Sequence, residues 1–87
     1  MAVHGTFPTD RAERYAKQLA GHWSSKATVT TVEDGIRLEM QRGGVTVLRP
    51  EADRLRVEAN TPEFGEVVKA HLERFAQRDG LVLTWDS

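Results

Sequence analysis

Three histidines, His4, His22 and His71, are the side chains of this 87-residue chain best suited to proton transfer or metal binding. Metal sites built from histidine usually present two rings on one helix face or at a short repeat, whereas these three are scattered. The chain has no cysteine, which removes thiolate ligands, a cysteine nucleophile and a disulfide framework together. Ser24 and Ser25 lie in no Gly-x-Ser-x-Gly elbow, and no histidine–carboxylate pair is placed beside them by spacing. Gly43-Gly44, the one glycine pair, lacks both the Gly-x-Gly-x-x-Gly pattern and the strand-to-helix setting of a phosphate site. No catalytic residue, no metal site and no cofactor is expected, and the reading favours a non-enzymatic protein.

One constellation remains. Tyr15, His22, Trp23 and Lys26 gather around the end of a first helix, and His71, Arg74 and Arg78 lie toward the end of a second. If both helices cover one sheet face, these groups converge on one rim. Cations and aromatics together there suit a small anionic or catecholate-like ligand. The plainer reading is a core edge of Trp23 and Tyr15 framed by solvated Arg and Lys. His71 sits in an apolar stripe, where a core histidine with one hydrogen-bonded nitrogen is the commoner outcome. His22 would complement the negative end of the first helix.

The elements that must carry these residues are legible from periodicity. Ala12, Tyr15, Ala16 and Leu19 recur at helical spacing, predicting a helix from about Asp10 to Ala20. Thr9 or Asp10 is its expected cap, Asp10 and Glu13 have capping-box spacing, and Gly21 is expected at the left-handed C′ position. From Ala27 to Ala59 the period becomes two. Asp34-Gly35 and Gly43-Gly44 are two-residue hairpin signals, pairing Val29 with Met40, Thr31 with Leu38, and Met40 with Val47. The inner face then collects Ala27, Val29, Ile36, Leu38, Met40, Val45 and Val47, with Thr28, Thr30, Arg37, Glu39, Gln41 and Thr46 opposite. Leu55, Val57 and Ala59 alternate with Arg54, Arg56 and Glu58 in a fourth strand. Cross-strand ion pairing of Glu39 and Glu58 with Arg37, Arg54 and Arg56 is expected on the solvated face.

Thr61-Pro62-Glu63 opens a second helix, with Phe64, Val68, His71, Leu72 and Phe75 inward and Val67 at the edge. Asp79-Gly80 ends it, and Leu81 to Trp85 forms a last strand. The order α-β-β-β-β-α-β predicts an α+β two-layer sandwich, a mostly antiparallel five-stranded sheet with both helices on one face. The last strand is expected antiparallel beside the first, the alternative being parallel beside the fourth with a right-handed crossover.

Composition limits the partners. Twelve Lys+Arg against thirteen Asp+Glu give a formal charge of −1, without the basic excess of a nucleic-acid or membrane-surface binder. Stacking of RNA bases needs aromatics on an open sheet face, and strands one to four place none there. No stretch approaches the ~18 apolar residues of a membrane span. Residues 1–8 do not read as a signal peptide, so a cytoplasmic location is expected. The length suits a single domain over residues 1–87.

Two segments carry a resemblance. Arg14-Tyr15-Ala16-Lys17-Gln18-Leu19, followed by His22-Trp23-Ser24-Ser25-Lys26, resembles the first-helix signature of a small bacterial domain family of unknown function. His71-Leu72-Glu73-Arg74-Phe75-Ala76-Gln77-Arg78, with the short strand ending at Trp85, is similar to its second signature. The resemblance implies a domain that occurs alone or fused to siderophore-interacting, flavin-binding proteins. That family's first motif commonly reads His-x-x-His-Lys, and Ser25 stands here at the second histidine. His22, Lys26, His71 and Arg74 are the residues carried over. The leading expectation is therefore an accessory or ligand-binding role linked to iron–siderophore metabolism, with His22, Trp23, Lys26, His71 and Arg74 as ligand-binding residues. The second is a protein–protein interaction or homodimerisation module, resting on Val32, Leu48 and Val82 on the outer sheet face and on an edge strand. The chain is expected as a monomer or homodimer.

Overall fold

The computed structural model describes residues 1–86. The elements run β1 (Val3–Pro8), α1 (Ala12–His22), β2 (Ala27–Val32), β3 (Gly35–Met40), β4 (Val45–Pro50), β5 (Arg54–Ala59), α2 (Pro62–Phe75) and β6 (Thr84–Trp85), with a 3-10 turn at Gln77–Asp79 before β6. All pairings are antiparallel, in the order β2-β3-β4-β5-β1-β6. Helix α1 lies over β3, β4 and β5, α2 lies over β4 and β5, and the helices touch. The α+β sandwich with both helices on one face is therefore as expected, with six strands rather than five.

The added strand is β1. Val3, Gly5 and Phe7 alternate inward against Ala59, Val57 and Leu55 of β5. This corrects the placement of the last strand, which lies beside neither the Ala27 strand nor the fourth. β6 pairs with β1 instead, Gly5 opposite Trp85 and Thr6 opposite Thr84. The core between sheet and helices is built on Phe7, Leu19, Leu38, Leu48, Leu55, Leu72 and Leu83, all essentially inaccessible. Each such side chain contributes roughly 1.5–3 kcal/mol relative to exposure.

Helix α1 departs from expectation at both ends. It starts at Ala12 with Arg11 at the cap position and no side-chain cap. Thr9 Oγ1 instead accepts from the Arg11 N–H at 3.0 Å, before the helix proper. Glu13 takes no part in a capping box and pairs with Lys17 at 3.0 Å. The helix also continues through Gly21, which lacks a positive φ, to His22. Burial of Trp23, four residues after Leu19 on the same stripe, extends it. The Trp23 N–H closes the last turn on the Leu19 carbonyl at 3.0 Å.

Both hairpins shift register. Between β2 and β3 the turn residues are Glu33 and Asp34, so Val29 faces Leu38 and Thr31 faces Ile36. A slip of two leaves the faces unchanged. Gly35 is required here by close approach rather than by φ, because a Cβ would collide with the Leu48 carbonyl. The second correction is larger. Leu38 faces Thr46 and Ile36 faces Leu48. The loop is three residues, Gln41-Arg42-Gly43, closed by the Met40 N–H on the Gly44 carbonyl at 2.7 Å, with Gly43 at φ 99. That is the three-residue hairpin with a left-handed glycine, and its odd length exchanges the two faces of β4. Thr46 and Leu48 therefore point into the core, while Val45 and Val47 lie on the other face. The buried Thr46 hydroxyl donates to the Glu58 carbonyl at 2.6 Å. The expected outer apolar patch is corrected with it: Leu48 is in the core, Val32 is half-buried, and the exposed Val82 lies outside the strands.

On the open face, Glu39 pairs with the expected Arg37 but along its own strand, while Glu58 pairs across to Arg49 rather than to Arg54 or Arg56. Arg49 meets Asp34 at 3.2 Å and Glu58 at 3.0 Å, and His4 meets Glu58 at 3.6 Å. Arg37 pairs with Glu39 at 2.9 Å, and Arg54 pairs with Glu51 at 2.7 Å. Helix α2 starts on its sequence signals but ends at Phe75, short of the expected Asp79-Gly80 stop, and a 3-10 turn fills the gap. The Thr61 hydroxyl accepts from the Phe64 N–H at 3.1 Å, Pro62 occupies the first turn, and Gly80 adopts φ 65 after the 3-10 turn. Among the described residues, no helix is long and apolar enough to cross a membrane.

Candidate functional site

The end of α1 and the middle of α2 bring the two helical histidines together. His22 is the last residue of α1, and His71 lies on the α2 stripe that runs Phe64, Val67, His71, Arg74 and Phe75 at three- and four-residue steps. The two imidazole centroids stand 5.4 Å apart. His22 also meets Phe75 edge-on at 5.7 Å, and His71 packs against the Trp23 indole at 5.0 Å. Trp23 in turn contacts Phe64 at 5.7 Å. Residues almost fifty positions apart thus form one aromatic cluster. The helix–helix contact creates it, since α1 ends where α2 passes.

The protonation of His71 follows from its partner. Nδ1 lies 2.8 Å from the Val67 carbonyl. A carbonyl only accepts, so Nδ1 carries the proton and the neutral ring keeps its lone pair on Nε2. His22 is exposed and His71 half-buried. Trp23, 5% exposed, is a core residue that supports His71 from beneath. Among the described residues, no group of three His, Asp or Glu side chains is placed to hold a metal ion.

Beside this cluster is a groove of about 910 Å³ between the β3–β4 loop and the start of α2. Lys26, Met40 and Arg42 line it from the sheet and its loop, and Thr61, Glu63, Phe64 and Val67 from the start of α2. Its volume falls in the range of small-molecule sites, about 300–1,000 Å³. Phe64 belongs to both cluster and groove. Lys26 is exposed at the groove, and Arg74 is exposed on α2 one turn beyond His71. Neither forms an ion pair among the described residues.

Tyr15 does not join the rim. It lies two turns earlier in α1, T-stacked on Phe7 at 5.6 Å, and its hydroxyl donates to Asp79 at 3.4 Å. Burial, with the Asp79 carboxylate second, pushes its phenol above the usual tyrosine range. Arg78 is exposed beside Asp79, away from the groove. Phe64, Phe75 and Met40 were not among the expected site residues. The first two were assigned to the inward stripe of α2 and Met40 to the inner sheet face, with nothing to show that they border solvent. The histidine–aromatic pairing depends on the crossing of two helices, and no local spacing reports it.

A two-helix, six-stranded antiparallel sandwich with a histidine-bearing rim defines a small α+β domain. The chain belongs to the bacterial family described as "Uncharacterized protein conserved in bacteria (DUF2218)", which matches residues 4–86. Its fold is similar to the NMR structure of PA4090 from Pseudomonas aeruginosa. The TM-score is 0.73 at 24% identity, over 98% of this chain and 94% of that one. No curated protein matches the chain.

Proposed function

We propose that this protein is a non-enzymatic binding domain whose rim takes a small anionic aromatic ligand of the catecholate, siderophore-like class. The observation that carries this reading is the His22–His71 pair, 5.4 Å apart on a Trp23 base and adjoining the groove of Lys26, Arg42 and Phe64. Phe64 and the histidine rings offer stacking surfaces to an aromatic ring. His71 Nε2 accepts a phenolic proton, and Lys26, Arg42 and Arg74 supply charge for an anion. The siderophore assignment follows from the resemblance carried by His71-Leu72-Glu73-Arg74-Phe75.

The test is a ¹H–¹⁵N titration with 2,3-dihydroxybenzoate, with ferric iron alone and with a ferric tris-catecholate. Shifts concentrated at His22, Lys26, Phe64 and His71 are expected with the catecholates and not with iron alone. His71→Ala should weaken binding about tenfold, or roughly 1.4 kcal/mol. A rim that stays silent at millimolar catecholate overturns the reading.

A further inference from the structure

We propose that β2 is a self-pairing edge, through which two copies of this chain join their sheets antiparallel about a two-fold axis at Val29. β2 ends the sheet and reads Ala27-Thr28-Val29-Thr30-Thr31-Val32, six residues with no charge and no proline. Natural edges are usually protected by lysine, proline, a bulge or a covering element. Among the described residues no such device protects β2, and Thr28, Val29, Thr30 and Thr31 are all exposed.

The register shows which groups are free. The Gln41 N–H bonds to the Lys26 carbonyl at 3.0 Å, and Ala27 faces Met40. In an antiparallel ladder, bonding alternates along the strand. Lys26, Thr28, Thr30 and Val32 therefore turn their backbone groups toward β3. Ala27, Val29 and Thr31 direct theirs outward.

Two such strands, antiparallel with Val29 opposite Val29, satisfy all of these outward groups at once. Ala27 of each copy then lies opposite Thr31 of the other, and Thr28 opposite Thr30, which are favourable cross-strand pairs. The same register sets Lys26 of each copy opposite Val32 of the other, so no like charges meet across the pairing.

The opposite edge explains why the assembly closes. β6 is only two residues long, too short to serve as the partner of β2 in a head-to-tail chain. Pairing of β2 with its own copy is isologous and stops at two.

Sedimentation equilibrium of the full chain without ligand, from 10 µM to about 1 mM, tests this independently of the rim. A monomer–dimer equilibrium is expected. Val29→Lys sets two like charges together on the axis and should raise Kd at least tenfold. Its side chain is 46% exposed in the monomer, so folding should persist, checked by circular dichroism. A monomer at 1 mM, or a dimer indifferent to Val29→Lys, overturns the proposal.

Discussion

Gly5 lies directly under the indole of Trp85: a Cβ at Gly5 would stand 2.7 Å from Trp85 Cε3. The same indole closes on α2, where a Cβ at Gly65 would meet its far edge at 3.0 Å, and its Nε1 donates to Glu66 at 2.8 Å. Trp85 is thus a wedge between β1 and α2, and two glycines make the room for it.

Gly5→Ala should therefore destabilise the fold by about 1–3 kcal/mol, the usual cost of overpacking. Leu83 Cδ2, 2.8 Å from the new methyl group, leaves it little room to move. Gly65→Ala should cost much less, because roughly 1 kcal/mol of helix propensity offsets the contact. Urea midpoints for the two variants check the ordering, and equal midpoints would contradict it.

Thr46→Val should lower stability by about 1 kcal/mol, the net value of one hydrogen bond. The change keeps the shape of a fully buried side chain but deletes its 2.6 Å bond to the Glu58 carbonyl. Thr46→Ser, which keeps the hydroxyl, separates the bond from the methyl packing. If valine proved stabilising, the Thr46–Glu58 bond would contribute nothing net to the fold.

The Tyr15 phenol, buried and beside Asp79, makes stability fall in alkali. The folded phenol is raised above its unfolded value, so the folded state holds its proton more tightly. Its contribution is complete below the ordinary tyrosine value of about 10 and is lost as pH rises through the raised one. Tyr15→Phe should flatten this decline, as denaturation curves between pH 8 and 11 will show. A wild-type profile that matches the variant's would mean that the folded phenol is not raised.

Long-range ¹H–¹⁵N spectra of the imidazoles should find the neutral form of His71 protonated on Nδ1. The Val67 carbonyl dictates this tautomer. Protonation on Nε2 instead would mean that the bond is absent in solution.

Much of this architecture was legible in the sequence because it depends on local signals. The alternation of Leu55, Val57 and Ala59, and the Thr61-Pro62 start of α2, needed no tertiary information. What escaped depended on geometry that composition does not report. Gly43-Gly44 was read as a two-residue turn, but Gln41 and Arg42 share the loop with Gly43, and that one extra residue moved Thr46 and Leu48 to the opposite face. β1 was overlooked because glycine occupies its central inward position, where Trp85 needs space. At the rim, His22, Trp23 and His71 come together where the end of α1 meets α2. Tyr15 was grouped with them wrongly, because its position two turns earlier directs it toward Phe7.

Trp23 touches both His71 and Phe64 while remaining shielded from water. Its excited state therefore senses the two side chains that any occupant of the rim must displace or polarise. Trp85, the second indole of the chain, is the only other source of such emission, and Trp85→Phe would leave Trp23 alone. The protein would then carry its own optical gauge of rim occupancy, with no label attached.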